Sequence, residues 1–202
     1  AMNKGIRHAS GEYLLFLNSG DYLVDEYVLE KVFSEPQSSG FLLGKCNVSE
    51  NGKVLRTTNP PERLTFGYLY QNALAHQSTF IKREMFLKYG FYREDFRYNA
   101  DIEFWYRTIV LNCCSTVTLP IIISDYNTGG ISSAERESER YRNEMDEIFS
   151  NPLLQLFIPD YDLWLKERQE MKILYWVKSN LLIYSAIRGL FKSAHWFSKM
   201  MK

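Results

Sequence analysis

The stretch "EYLLFLNSGDYL", residues 12–23, joins an unbroken apolar run to a polar turn. The run over residues 13–17 predicts a buried strand, because strands covered on both faces have continuous apolar side chains. It stops at "NSGD", residues 18–21, where small residues would let a ligand approach the backbone. In open α/β sheets, ligands bind at the carboxyl ends of strands, and Asp21 stands at such an end. A plain turn also explains these four residues, since each of them favours turns.

Strand patterns recur further along the chain. Residues 41–48 and 53–58 are predicted as two strands joined by a hairpin turn at Asn51-Gly52, a dipeptide that favours tight turns. Residues 115–124 are rich in β-branched side chains and predict a further strand that is broken at Pro120.

Helical patterns alternate with these strands. Helices are predicted over residues 3–9, from an N-cap at Asp25 to residue 33, over 64–74, before Gly90, and over 100–112. In the last of these, Ile102, Trp105, Ile109 and Val110 are expected on one side. Strands that alternate with helices predict an α/β fold.

Composition narrows the class of protein. Hydrophobic residues make up 46% of the 202 residues, which is enough for a core and argues against disorder. Lys+Arg and Asp+Glu number 24 each, so nucleic acid is not an expected partner. The three cysteines, two of them adjacent, fit neither a disulfide framework nor a zinc motif and predict a reducing compartment. No apolar run in the sequence is long enough to span a bilayer.

Asp101, in "YNADIEFWYR", is the second candidate for chemistry. A carboxylate at a helix N-terminus is stabilised as the anion by free backbone N–H groups, and it can accept a proton from a substrate hydroxyl. An ordinary N-cap role explains the same residue. Glu103 ranks second, because its side chain would leave the opposite side of the first turn.

Two other polar segments are weaker candidates. His76 and Gln77 precede an apolar stretch, and a lone histidine there is more often structural than a ligand. Gly129, Gly130 and Ser132 belong to "GGISS", which predicts either a mobile loop that meets phosphate or a plain connector.

The carboxyl-terminal part differs in character. Residues 134–149 alternate in charge, as solvated helices do. Residues 171–202 contain six bases, no acid, and interleaved aromatic side chains. This pattern suits a helix on an anionic membrane surface, while a docked core helix or an oligomer interface explains it equally well. We therefore predict one domain over residues 1–134 and a helical extension over 135–202.

Taken in order, these segments resemble the inverting family 2 glycosyltransferases of the GT-A fold. "NKGIRHASGEYLLFLNSGDYL", residues 3–23, is similar to their helix, apolar strand and Asp-rich metal loop. "HQSTFIKREMFLKYGFYREDFRYNADIEFWYR", residues 76–107, looks like their acceptor-side segment, which implies acceptor contacts for its opening His-Gln pair. "GGISS" is similar to the loop that follows. The resemblance implies a partial GT-A fold, a mixed α/β sheet with flanking helices.

The resemblance also implies a chemical role for each candidate. Asp101 matches the catalytic base. Asn18, Ser19 and Asp21 match the loop that holds the donor diphosphate, with Asp21 as the ligand of a Mg²⁺ or Mn²⁺ ion. The implied reaction is a single displacement with inversion by a hexosyltransferase-type enzyme of cell-surface polysaccharide synthesis. It would move a sugar from a nucleotide-diphosphate donor to a hydroxyl of a saccharide or lipid-linked acceptor.

Two departures from the family pattern affect these expectations. Asn18 and Gly20 stand where many members have Asp, so Asp21 is the only carboxylate of the loop. The family's N-terminal nucleotide-binding strands are missing from this sequence. The alternative to an active enzyme is therefore an inactive remnant or an acceptor-binding module, with or without membrane association. The expected location is the cytoplasm, peripheral to the inner face of the membrane, and a homo-oligomer stays open.

Overall fold

The computed structural model describes residues 1–128, 138–180 and 182–190, except for the side chains of residues 173 and 174. Contacts divide the chain into two compact units, Ala1–Asn151 and Pro152–Lys202. The predicted boundary at residue 134 stays a prediction, while the contacts divide the chain after the helix that follows it.

A mixed sheet forms the centre of the first unit. Its strands are β1 (Tyr13–Leu14), β2 (Tyr22–Leu23), β3 (Phe41–Glu50), β4 (Lys53–Thr58), β5 (Thr79–Lys82) and β6 (Thr116–Asn127). Within the described residues, these six strands follow the order β1-β5-β3-β6-β2, and β4 pairs with β3 outside this path. β3 and β6 run parallel, and the other pairs are antiparallel. The mixed α/β sheet agrees with the expected partial GT-A-like fold.

Short helices flank this sheet. They are α1 (Met2–His8), α2 (Val28–Val32), α3 (Phe66–Gln71), α4 (Arg83–Tyr89), α5 (Ala100–Trp105) and α6 (Glu139–Phe149). A 3-10 turn at His76–Ser78 precedes β5, and a π-helical turn at Tyr106–Val110 continues α5. The hairpin turn lies where it was predicted, since Asn51 and Gly52 have φ of 51° and 77°.

The sheet has a different core on each face, because successive residues of a strand point to opposite sides. On one face, Val28 and Val32 of α2 pack with Leu42 and Ile123. On the other face, neighbouring Phe41 meets the aromatic rings of α5. Helix α5 thus packs directly on the central strand, which fixes the position of its first turn.

Three expected details of the strands and caps are wrong. The first strand ends at Leu14, and residues 15–17 have no regular secondary structure. β6 continues through Pro120, because a register shift against β3 accommodates a residue that lacks an N–H donor. Asp25 is not the N-cap of α2. Tyr27 holds that position, and its N–H donates to the Asp25 carboxylate at 2.8 Å.

The expected buried side of α5 is also partly wrong. Trp105 is buried as predicted, but so are Phe104, Tyr106 and Thr108. The π-helical turn after Trp105 widens the helix, so the spacing of 3.6 residues no longer predicts which side chains face the sheet.

The second unit is helical where it is described. It contains α7 (Pro152–Gln155) and α8 (Ile158–Ser179), and Tyr175 and Trp176 on α8 are exposed. No helix among the described residues combines the length and the apolarity of a membrane span. Much of the basic and aromatic tail lies outside the described residues, so contact with an anionic membrane stays a prediction.

Candidate active site

The "NSGD" residues form a tight turn. The Asp21 N–H donates to the Asn18 carbonyl at 3.0 Å, and Gly20 has φ of 94°, which glycine adopts without steric cost. A four-residue turn with positive φ at its third position is of type II. The turn interpretation is therefore confirmed for the backbone, and the turn leaves Asn18 and Ser19 exposed.

The Asp21 carboxylate ties this turn to the edge of the sheet. Its Oδ2 accepts the Asn18 N–H at 3.2 Å, and its Oδ1 accepts the Asn127 N–H at 3.3 Å. Asn127 ends β6, the strand that leads towards the glycine-rich segment. An ionised carboxylate offers about four acceptor positions, so both oxygens can accept further contacts.

His76 joins the turn to Asp101. Its Nε2 lies 3.0 Å from Asn18 Nδ2, and its Nδ1 lies 3.2 Å from Asp101 Oδ2. The turn and the helix that supply these partners are far apart in sequence. The fold therefore brings the two strongest sequence candidates into one site, with His76 between them.

The hydrogen-bonding groups of this site fit one state of the imidazole ring. A carboxylate only accepts hydrogen bonds, and the Asn18 amide nitrogen only donates them. Nδ1–H of a neutral His76 therefore donates to Asp101, and Nε2 accepts from Asn18. The Asp101 Oδ1 atom accepts the Ile102 N–H at 2.8 Å, so both oxygens are oriented. The Asp101 side chain remains 19% exposed, which leaves it accessible to a substrate hydroxyl.

Glu144 holds the loop in front of α5. Its carboxylate accepts three consecutive backbone N–H groups, from Arg97 at 2.7 Å and from Tyr98 and Asn99 at 3.0 Å each. Burial raises the pKa of Glu144, but these donors together outweigh burial and leave the pKa below its ordinary value. The first turn of α5, which includes Asp101, is thereby fixed to α6.

Glu144 was not among the predicted site residues. It lies in a charge-dense segment that the sequence indicated as solvated, yet it is buried. The available signal was its position: Glu144 falls between Tyr141 and Ile148 at helical spacing, on the side of α6 that faces the core.

Asn3 supports a second neighbour of Asp101. The Asn3 Nδ2 donates to the Tyr92 carbonyl at 2.8 Å, and its Oδ1 accepts the Tyr92 N–H at 3.1 Å. Burial above all, and the Asp101 carboxylate in addition, raise the pKa of Tyr92 well above its ordinary value. Tyr92 therefore stays a neutral phenol near the carboxylate.

The remaining candidates differ in how the structure places them. Glu103 is engaged elsewhere, because both of its oxygens accept from Arg107 at 2.8 Å. Gln77 is buried, and its acceptor role stays a prediction. The glycine-rich candidates Gly129, Gly130 and Ser132 lie outside the described residues.

The described residues include no group of three or more His, Cys, Asp or Glu side chains placed to hold a metal ion. The turn itself contributes one carboxylate, Asp21. Mg²⁺ sites of this kind commonly use one or two carboxylates and complete their coordination with substrate phosphates and water. A divalent ion that arrives with a diphosphate fits this donor set, whereas an ion held by protein ligands alone does not.

Known proteins similar to this chain are named glycosyltransferases. A glycosyltransferase of Mycobacterium tuberculosis is 31% identical over 147 residues, which are 68% of this chain and 53% of that protein. A PGL/p-HBAD biosynthesis glycosyltransferase of the same species is 28% identical over 146 residues, 69% of this chain and 54% of that protein. No protein-family model matches the chain.

An Escherichia coli enzyme extends this comparison to a named reaction. The UDP-Glc:alpha-D-GlcNAc-diphosphoundecaprenol beta-1,3-glucosyltransferase is 21% identical over 162 residues, 78% of this chain and 63% of that enzyme. The chain spans about half the length of the first two relatives. The similarity supports a glycosyl-transfer role.

Proposed function

We propose that this chain forms the acceptor side and part of the donor side of an inverting, GT-A type glycosyltransferase. The observation that supports the proposal best is the contact of His76 with both Asn18 and Asp101, because it joins the diphosphate turn to the general base. The reaction moves a hexose from a nucleotide-diphosphate sugar to an acceptor hydroxyl. In view of the relatives' names, the acceptor is a saccharide or a lipid-linked sugar of cell-surface glycan synthesis.

In this proposal, Asp101 is the general base. Its exposed carboxylate accepts the proton of the acceptor hydroxyl as that oxygen forms a bond to the anomeric carbon. The bond from the anomeric carbon to the diphosphate oxygen breaks on the opposite face, and the nucleoside diphosphate leaves. General-base catalysis by such a group contributes about 10²–10⁴-fold in rate.

The turn contributes to donor binding. The exposed Asn18 and Ser19 side chains lie where they can donate hydrogen bonds to diphosphate oxygens. Asp21 would hold a Mg²⁺ or Mn²⁺ ion together with that diphosphate, and the ion would offset charge on the leaving group. His76 keeps the turn and the base at a fixed separation, which favours a reactive arrangement of donor and acceptor.

One experiment tests this proposal against its alternative, an acceptor-binding module without transfer. The chain is titrated calorimetrically with several UDP- and GDP-sugars in Mn²⁺, and acceptor glycosides are then added and the products analysed by mass spectrometry. We expect donor binding and an acceptor extended by one hexose. Acceptor binding without donor binding or product would support the module and overturn the proposal.

Location and assembly follow as lesser proposals. Residues 171–202 would bring the enzyme to the anionic inner face of a membrane, where lipid-linked acceptors are found. Sedimentation with phosphatidylglycerol vesicles, compared with phosphatidylcholine vesicles, tests this directly. Equal sedimentation with both would contradict the electrostatic part of the proposal.

A further inference from the structure

A cavity of about 120 Å³ lies beside α5 in the first unit. The residue that follows the proposed base, Ile102, lines it, and so do Asn72 and Ala73 in the loop that leads to His76. The cavity is therefore bordered by direct sequence neighbours of two site residues. Pockets for drug-sized ligands measure about 300–1,000 Å³, so this one suits a single ring or part of one.

Two buried polar groups among the lining residues lack partners. Trp105 Nε1 and Tyr106 Oη have no hydrogen-bond partner among the described residues, and their side chains are 1% and 2% exposed. Leaving such groups unpaired costs about 1–3 kcal/mol each, so an unpaired pair in one place needs an explanation. Burial above all, and Tyr70 in addition, raise the pKa of Tyr106, so its hydroxyl stays protonated and can donate or accept.

The lining selects among the chemical classes that could pair with these groups. Ten described residues line the cavity, and none is acidic, basic or histidine. A diphosphate would find no cation there, and a hydrocarbon chain would leave both polar atoms unpaired. An uncharged molecule with hydroxyl groups and apolar C–H faces satisfies both requirements, because Leu69, Ile102 and Met145 supply apolar contacts and the tyrosines supply aromatic faces.

We infer that this cavity is an acceptor subsite that takes an uncharged, hydroxyl-bearing sugar ring, with Trp105 and Tyr106 as its polar contacts. The inference rests on the proposed function and specifies how that site selects its acceptor. The indole N–H donates to a sugar oxygen, and the Tyr106 hydroxyl exchanges a hydrogen bond with a second oxygen. A ring held here would have its neighbouring hydroxyl close to the first turn of α5.

The indole N–H signal of Trp105 in a ¹H–¹⁵N NMR spectrum tests the inference. The chain has four tryptophans, and the Trp105→Phe variant assigns the signal. Methyl glycosides of glucose, N-acetylglucosamine and rhamnose are the probes. We expect at least one to shift the signal saturably, and Tyr106→Phe to weaken that binding by roughly fivefold or more. Tyr68→Phe, the same change on α3 outside this cavity, leaves binding unchanged, and Met145→Phe, which fills the cavity, abolishes it.

Defined outcomes overturn the inference. A Trp105 signal that no glycoside moves, or that moves equally in Tyr106→Phe, identifies a cavity that holds water only. A signal that UDP alone moves as far as the glycosides do identifies a nucleotide contact. A parallel titration with UDP-sugars and Mn²⁺ separates this failure from that of the proposed function. Donor binding at the turn without a glycoside response refutes the subsite alone, and a glycoside response without donor binding supports the subsite and refutes the transfer reaction.

Discussion

Replacing Glu144 with glutamine should destabilise the first unit and loosen the loop before α5. One carboxylate oxygen accepts the Arg97 N–H, and the other accepts those of Tyr98 and Asn99. A glutamine has one acceptor oxygen, so its amide nitrogen faces at least one N–H donor without a partner, at about 1–3 kcal/mol. The remaining bonds lose their charge, which weakens each by about 1 kcal/mol. The expected loss in free energy of unfolding is therefore about 3 kcal/mol.

Thermal unfolding followed by circular dichroism measures this loss. For a chain of this size, about 3 kcal/mol corresponds to a fall in Tm of roughly 6–12 °C. Asp146→Asn is the matched control, because Asp146 lies on the same helix but is exposed. It should lower Tm by no more than about 2 °C. A Glu144→Gln protein that unfolds with the control would refute the view that this carboxylate holds the loop.

The same residue predicts a pH dependence. The folded-state pKa of Glu144 lies below its ordinary value of 4.5. Its contribution is therefore complete above about pH 4.5 and is lost as the pH falls through the folded-state pKa. Urea unfolding between pH 3 and 6 should show a steeper loss of stability in the wild type than in Glu144→Gln. Parallel curves would contradict this assignment.

Three further predictions concern the core, a thiol and the bridging histidine. Gly44→Ala should lower the free energy of unfolding by about 1–3 kcal/mol in urea titrations, because its Cβ would lie 2.1 Å from Ile123 Cδ1; an unchanged midpoint would refute the close packing. Burial raises the pKa of Cys46, so native-state maleimide labelling read by mass spectrometry should reach exposed Cys113 first; equal rates would contradict this. His76→Ala should lower kcat for glycosyl transfer by about 10²-fold with little change in donor Kd, and an unchanged kcat would exclude a positioning role.

The sequence predicted the parts of the fold that depend on local rules. The hairpin at Asn51 and Gly52, the helix that Gly90 ends, and the alternation of strands with helices are all present. These features follow from backbone conformation and periodic burial, which neighbouring residues decide. Pro120 shows the limit of such rules, since pairing with β3 kept it within a strand that local propensity would end.

The contacts of the candidate site were beyond local rules. His76 reaches Asn18 across 58 positions of sequence, and no spacing pattern encodes that distance. Glu144 binds backbone N–H groups, which every residue other than proline has, so its partners leave no trace in side-chain identity. The sequence supplied the candidates Asp21 and Asp101 with resemblance, and the topology of the sheet brought them together.

The most direct test of the account is transfer by Asp101→Asn in the longest protein that contains this chain. Glu103→Gln, on the same turn of α5 but paired with Arg107, is the matched control. The account predicts that Asp101→Asn lowers kcat by about 10²–10⁴-fold while calorimetry gives an unchanged donor Kd, and that Glu103→Gln keeps transfer. Transfer by Asp101→Asn at the wild-type rate would contradict the assignment of the base.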